Sequence, residues 1–192
     1  MKFHRLLVSL TCLLLLTLFS ATAQEDDSPF SINYGDRDPI IEHGAWDAWD
    51  GRFTSPGALT FHDGQFHMFR NGYQDWPRPA GIAYHVSEDG INWEQVGAEP
   101  VIDGEVVNAI FGFETALAYS VVINEEGTWM MYFQGFTPEG EGIPSGAILA
   151  MTDDPAGEWT IHEEMVIVSD GMGSWDNGGI GAPSVIIVED EY

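Results

Sequence analysis

From residue 46 onwards, the chain alternates short apolar runs with polar turns. Four such runs fall in the first half of the chain, at 56–61, 65–69, 81–87 and 93–96. They are separated by a long Pro-containing loop and by two good turn sequences, His62-Asp63-Gly64 and Glu88-Asp89-Gly90. Short apolar runs joined by such turns are typical of antiparallel strands. The pattern therefore predicts one four-stranded antiparallel sheet.

The same pattern of four runs occurs a second time, at 118–124, 128–134, 145–152 and 158–162. A third copy opens at Pro183, 127 residues after Pro56. Three landmarks keep the same phase in the first two copies, at separations of 63, 65 and 66 residues: Gly64 with Gly127, Ser87 with Thr152, and Trp93 with Trp159. Landmarks repeating in phase indicate a repeat architecture.

A unit of four antiparallel strands cannot cover both of its faces alone, and the β-propeller stacks such sheets around an axis. We therefore predict an all-β propeller, with blade one at about 46–104, blade two at about 105–170 and the start of blade three at 171–192. Two blades and one strand do not close a ring, so we expect the chain to be a fragment of a longer protein. The alternative is a β-sandwich built from the same strands.

The first 23 residues have the three parts of a secretory signal peptide. Lys2 and Arg5 precede an apolar run at 6–19, and Ala21-Thr22-Ala23 is a small-residue cleavage site. The apolar run is shorter than the roughly 20 residues that a membrane-spanning helix needs. We predict a secreted or periplasmic protein with no membrane association after cleavage, beginning with an exposed leader at 24–45.

The predicted mature part is strongly acidic and has no cysteine. After residue 23, four arginines stand against 31 acidic residues, a formal charge of −27, and the only cysteine, Cys12, lies within the predicted signal. Such a polyanion repels nucleic acid, so we expect no nucleic-acid partner. The acidic residues are scattered rather than grouped at ligand spacing, which favours a solvated surface over cation binding. We expect neither a metal site nor a cofactor.

Two stretches, "GIAYHVSEDGINWEQVGAEPVI" and "WDNGGIGAPSVIIVEDEY", resemble the five-bladed β-propeller glycosidases, which include the arabinanases and xylosidases of family 43 and the invertase-like enzymes of family 32. The resemblance covers residues 46–192. It implies a five-bladed propeller and glycoside hydrolysis by carboxylates at the start of the innermost strands. In those families an acid usually precedes the first-strand Pro, whereas this chain has Ser55 and Ala182 there.

A substitute set of acids precedes each predicted innermost strand. Asp50 lies six residues before Pro56, Glu114 five before Tyr119, and Asp176 seven before Pro183. A propeller turns equivalent positions towards a common centre, so these three carboxylates are the candidate catalytic residues. Two carboxyl groups acting as acid and as base or nucleophile are what glycoside hydrolysis requires. The alternative is that these acids stand in surface loops by chance.

Other residues near these acids are candidates for sugar binding. Trp49 and Trp175 each precede a candidate acid and could stack on a sugar ring or could simply pack in the core. Arg52 and Arg78 are rare cations in this chain and could bind a sugar or pair with surface acids. The prediction is an exported carbohydrate-active protein, with a glycoside hydrolase favoured and a non-catalytic propeller that binds a glycan or a protein as the alternative.

Overall fold

The computed structural model of the chain describes residues 39–75, 80–113, 115–136, 145–171, 173–177 and 179–188. The predicted signal peptide, the first part of the predicted leader and two predicted site residues, Arg78 and Glu114, lie outside these ranges. The described part is all-β apart from one short helix, which confirms the predicted class. Within these ranges, no helix is long and apolar enough to cross a membrane.

The first predicted sheet is confirmed, with four antiparallel strands in sequential order. The strands are β1 (Phe53–His62), β2 (Gln65–Tyr73), β3 (Gly81–Ser87) and β4 (Glu94–Val96). β1 begins three residues before the predicted start at Pro56. The pairing of β1 with β2 shifts register between Ser55 and Ala58, and such a bulge accommodates Pro56, which has no N–H to donate.

Local chemistry fixes the two tight turns of this sheet. Asp63 and Gly64 both have positive φ angles, of 48° and 83°, as a two-residue hairpin connection requires. After β3, the Asp89 carboxylate accepts the backbone N–H groups of Ile91 and Asn92 at 2.8 and 2.7 Å. Because these bonds are local, the turn sequence alone sets where each strand ends.

The second predicted sheet is also confirmed, and it has one strand that the apolar pattern did not predict. Its strands are β5 (Thr115–Ile123), β6 (Trp129–Phe136), β7 (Gly146–Thr152), β8 (Thr160–Ile161) and β9 (Ile167–Val168). β5 to β8 lie in sequential order, and the unpredicted β9 pairs with the other end of β7. β9 has only two residues, too few to show an alternation in sequence.

The two sheets have matching strand registers. Arg70 in β2 lies opposite Ala83, and Phe133, 63 residues later in β6, lies opposite Ile148. The bulge of β1 also has a counterpart, because the pairing of β5 with β6 shifts register between Ala118 and Ser120. The sequence repeat is therefore a structural repeat of strand order, register and bulge.

The two sheets pack face to face through an aromatic core. The ring of Phe69, which is fully buried in β2, meets the rings of Trp129 and Trp159 edge-on, at centroid distances of 6.2 and 5.4 Å. β5 lies against β1, β2 and β3. Trp159 is thus a core residue.

A buried amide side chain joins the two sheets by hydrogen bonds. The Oδ1 atom of Asn71 accepts the backbone N–H of Ala118 at 2.8 Å, and its Nδ2 donates to the carbonyl oxygens of Ala118 and Pro56, both at 3.3 Å. At the equivalent position of the second sheet, Gln134 accepts the N–H of Ala182 at 3.2 Å. Residues 71 and 134 are 63 apart and residues 118 and 182 are 64 apart, so the link follows the repeat.

The segment with the third copy of the pattern lies against the second sheet without forming a regular strand. Residues 179–187 have no strand assignment, so the predicted strand from Pro183 is not formed over this part. Instead, backbone groups of Ile180 and Val185 are held by the hydroxyls of Ser145 and Ser120, at 2.9 and 3.1 Å. A strand is defined by pairing with a neighbour, and side chains hold this backbone instead.

One helix was not predicted, α1 (Gly104–Phe111), which joins the two sheets. Its N-cap Asp103 accepts the backbone N–H of Glu105 at 2.9 Å, and Gly112 ends it with a positive φ of 75°. Asp and Gly are favoured at these two positions. Eight residues are too few for the 3.6-residue period to be evident in sequence.

Candidate functional site

The segment before β1 is a compact loop, residues 44–51, which we name the entry loop. Two consecutive turns close it, with the Ala48 N–H donating to Ala45 O at 2.8 Å and the Gly51 N–H donating to Ala48 O at 3.0 Å. The Gln74 side chain, just after β2, donates to the carbonyl oxygens of Trp46 and Ala48. These bonds fix the loop against the end of the first sheet, where it presents Trp46, Trp49 and Asp50.

Asp50, a predicted catalytic residue, is buried and paired with an arginine. Its Oδ2 accepts a hydrogen bond from Nη2 of Arg70 in β2, and the two residues are only 4% and 2% exposed. The Nη1 of Arg70 donates to Thr54 Oγ1 at 2.8 Å. Oδ1 of Asp50 faces Gly44, where an added Cβ would stand 2.0 Å from it. The entry loop and Arg70 therefore enclose the carboxylate.

Two buried polar atoms of this cluster have no hydrogen-bond partner, Nε of Arg70 and Nδ1 of His85. His85 is 3% exposed and stands in β3 on the same face of the first sheet as Arg70. Burial, followed by the charge of Arg70, lowers the pKa of His85 to about 4. The ring is therefore neutral at pH 7, and one of its nitrogens is an acceptor.

Trp49, a predicted sugar-binding residue, packs on two glycines at the ends of β2 and β3. A Cβ on Gly72 or Gly81 would lie 2.8 or 2.7 Å from the indole ring, so neither position tolerates a side chain without movement. The guanidinium of Arg70 lies 5.8 Å from the centre of the ring. Trp49 is half-buried, and its indole N–H donates to Ala98 O at 3.4 Å. Trp49 therefore forms a fixed wall beside Asp50.

Arg52 and Trp46 form an exposed pair next to this wall. The Arg52 guanidinium lies over the Trp46 ring, 4.5 Å from its centre, and Trp46 is 70% exposed. This cation–π contact places a cation and an indole together at the surface. Of the two described arginines, Arg52 is exposed and Arg70 is buried, so Arg52 is the one that a ligand in solution can reach.

Asp176 and Trp175 lie in a separate turn, at 173–177. The carboxylate of Asp176 accepts hydrogen bonds from the Ser174 hydroxyl and from the Asp170 N–H, the latter at 3.1 Å. These bonds, the Ser174 one contributing most, lower the pKa of Asp176. Trp175 is 94% exposed. The hydrogen bonds of Asp176 and those of Asp50 go to different residues.

Arg70 and His85 were not predicted from the sequence. His85 stands inside the predicted strand at 81–87 and Arg70 directly follows the predicted strand at 65–69, where a single polar residue does not stand out. A comparison of the two copies could have found them, because the equivalent residues in the second sheet are Phe133 and Ala150, both fully buried. Glu114, which lies outside the described residues, follows the buried Phe113 in sequence and precedes the buried Thr115.

Across the described ranges, no group of three or more His, Cys, Asp or Glu side chains is placed to hold a metal ion. A shallow cavity of about 300 Å³ lies beside the β3–β4 turn and is lined by acidic residues, among them Glu88, Asp89 and Glu94. It stands at the opposite end of β3 from Gly81 and the entry loop. It is therefore not part of the cluster around Asp50.

No known family model and no curated protein matches this sequence. Several solved structures share its fold. One is Zg3597, a family 117 glycoside hydrolase from the marine bacterium Zobellia galactanivorans, with a TM-score of 0.58 and 18% identity over 78% of this chain and 48% of that one. A BT0996 complex with RGII and a structure described as a glycoside hydrolase each give a TM-score of 0.52 and 13% identity, over 71% of this chain and 44% of theirs.

These similarities establish a fold that the chain shares with glycoside hydrolases. The chain spans less than half of the length of these three structures. Identities of 13 to 18% show the fold alone, because one fold hosts many functions.

Proposed function

We propose that the chain is part of an exported glycoside hydrolase of the five-bladed propeller type, acting on polysaccharide or oligosaccharide fragments. The observation that carries the proposal is the fold shared with the family 117 glycoside hydrolase over 78% of this chain. Export rests on the signal-like pattern at 1–23, which lies outside the described residues.

The propeller architecture is supported by the repeated link between successive units. Asn71 joins the first sheet to Ala118, and Gln134 joins the second sheet to Ala182, one repeat later. A unit that holds the next one through the same strand position builds an array of equivalent units, and the β-propeller is the closed form of such an array. We propose that the two sheets are blades one and two, that the segment from 171 begins blade three, and that further blades complete the ring.

The described carboxylates differ in the roles that suit them. Asp176 has a lowered pKa, which favours its ionised form and suits a base or nucleophile rather than a proton donor. Asp50 has a guanidinium as its direct counter-charge, which likewise suits an anion. We therefore assign the proton donor to Glu114, the remaining predicted acid, which lies outside the described residues.

The sugar-binding roles fall to the aromatic and cationic side chains near these acids. Trp49 and Trp175 supply ring faces for a sugar, and Arg52 and Arg78 supply donors for its oxygens. The substrates proposed are arabinosides, xylosides or fructosides, the classes that the resemblance implies.

The test is hydrolysis of these three substrate classes by the complete gene product. Asp176→Asn and Glu114→Gln should each lower kcat by at least about a hundredfold, which is typical for loss of an acid or base. Asp47→Asn is the matched control, because Asp47 is an exposed acid in the entry loop and has no assigned role. Unchanged kcat in both variants, with the fold intact, would show that the catalytic assignment is wrong.

A second function is favoured by one observation, the enclosure of Asp50 at 4% exposure. On this alternative, Asp50 is a structural partner of Arg70, covered by its own loop, rather than a group that meets a substrate. Together with Ser55 and Ala182 at positions where the resembled families have acids, this favours a non-catalytic propeller that binds a glycan or a protein. Binding of an oligosaccharide without turnover by the complete gene product would establish this alternative.

A further inference from the structure

Arg70 is buried at a position where the fold does not require a charge. By strand register, Arg70 corresponds to Phe133 of the second sheet, and His85 corresponds to Ala150. All four side chains are buried, and the second sheet fills these positions with apolar groups. Burial of an arginine carries a desolvation cost, and well-packed apolar residues are often at least as stabilising as a buried ion pair. Arg70 therefore needs an explanation other than stability.

The contacts of Arg70 all involve the entry loop and the start of β1. Its two terminal nitrogens bond to Asp50 and Thr54, and its guanidinium lies near the ring of Trp49. Asp50 and Trp49 end the entry loop, and Thr54 stands at the start of β1. One side chain on an inner strand of the first sheet thus contacts two of the three described first-unit candidates, Asp50 and Trp49.

We propose that Arg70 is the positioning residue of the candidate site, holding Asp50 and Trp49 in the geometry that the site uses, with His85 as the acceptor that fixes Arg70 from behind. The inference rests on the proposed function for its effect on catalysis. Arg70 itself touches no reacting group and acts through the two entry-loop residues.

The unpaired atoms of Arg70 and His85 are chemically matched. Nε of Arg70 carries a hydrogen and can only donate, whereas Nδ1 of a neutral His85 accepts when the proton sits on Nε2. Both atoms are buried, and an unmade hydrogen bond there is costly to both. A hydrogen bond between these two atoms would satisfy both of them and would fix the guanidinium plane towards Asp50.

The first experiment compares Arg70→Lys with a control variant at a half-buried apolar position of the same strand, Met68→Leu, in the complete gene product. Met68 stands on the same face of β2, opposite His85. Lysine keeps the charge but cannot bond Asp50, Thr54 and His85 together. We expect Arg70→Lys to remain folded by circular dichroism and to lose at least about tenfold in kcat, with a smaller change in KM, since small misplacements of reacting groups cost rate. Wild-type kcat, or a loss no greater than that of Met68→Leu, would overturn the proposal.

A second measurement keeps the two proposals distinguishable if the wild-type protein hydrolyses nothing. In NMR titrations the His85 ring should have a midpoint below that of an ordinary histidine, and Arg70→Met should raise it, because the neighbouring cation is removed. If that variant does not fold, Asp50→Asn with Arg70→Met removes both buried charges and still raises the midpoint, since Arg70 affects His85 more than Asp50 does. An unmoved midpoint would refute the Arg70–His85 link, whatever the activity.

Discussion

The Asn71 link between the two sheets gives a prediction whose size follows from the structure. Asn71 is 1% exposed and makes three hydrogen bonds, two across the seam to the N–H and O of Ala118 and one within the first sheet to Pro56 O. The register shift after Ala118 interrupts the β5–β6 ladder there, so the N–H of Ala118 depends on the amide of Asn71. Asn71→Ala leaves this buried N–H and two carbonyl oxygens without that partner.

The expected loss can be worked from these bonds. A buried group left unsatisfied costs about 1 to 3 kcal/mol, and each hydrogen bond lost contributes about 1 kcal/mol. The two bonds from Nδ2 are long, at 3.3 Å, so the lower end of this energy range applies to them. We therefore expect Asn71→Ala to lower the free energy of unfolding by about 2 to 4 kcal/mol.

The assay is urea unfolding of the chain followed by tryptophan fluorescence, with Gln134→Ala as the matched control. Gln134 occupies the equivalent position but makes one bond, at 3.2 Å, to the exposed Ala182. Its removal should cost less than about 1 kcal/mol. If both variants lose the same amount, or if Asn71→Ala loses less than about 1 kcal/mol, the buried amide is not what joins the sheets.

Two further predictions concern the cluster around Arg70. Gly72→Ala should lower Tm, because the added Cβ would lie 2.5 Å from Asp50 Cβ and 2.8 Å from the Trp49 ring. An unchanged Tm in this variant would show that the entry loop moves aside without loss of stability. Stability should also fall as the pH is lowered from about 6.5 to about 4, by up to about 3 kcal/mol, because His85 has a lowered pKa in the folded protein and the unfolded chain takes up the proton first. His85→Gln should flatten this part of the urea-midpoint profile, and an equally steep profile in that variant would assign the loss to other groups.

The sheets could be predicted from sequence because their signals are local. Alternating apolar residues in 65–69 and 81–87, with the Asp63-Gly64 turn between β1 and β2, specify strand and connection within a few residues of chain. The errors lie where a longer-range effect decides. β1 extends back through Ser55 and Pro56 because a bulge absorbs the proline, and β9 forms because β7 has a free edge to pair with.

The candidate site was only partly predictable. The sequence repeat locates the loops that carry the candidate residues, but it does not identify the residues that contact them. The repeat placed Asp50 and Trp49 before β1, where the structure has them, but nothing near them in sequence indicates that Arg70, 20 residues later, would enclose the carboxylate. Pairing across strands depends on register, which becomes visible only when the hydrogen-bond ladder is known.

The difference between the two copies is therefore the strongest functional signal that the sequence holds. At the positions where register makes the sheets equivalent, the fold accepts apolar Phe133 and Ala150, so polar Arg70 and His85 are not structural necessities. The polar pair occurs in the copy whose entry loop carries an aspartate enclosed by its own turns. Well-packed apolar residues are often at least as stabilising as a buried ion pair, so stability alone does not explain Arg70 beside Asp50. Under the proposed function, Arg70 and His85 position Asp50 and Trp49, and the apolar pair of the second sheet is the reference that makes this polar pair recognisable.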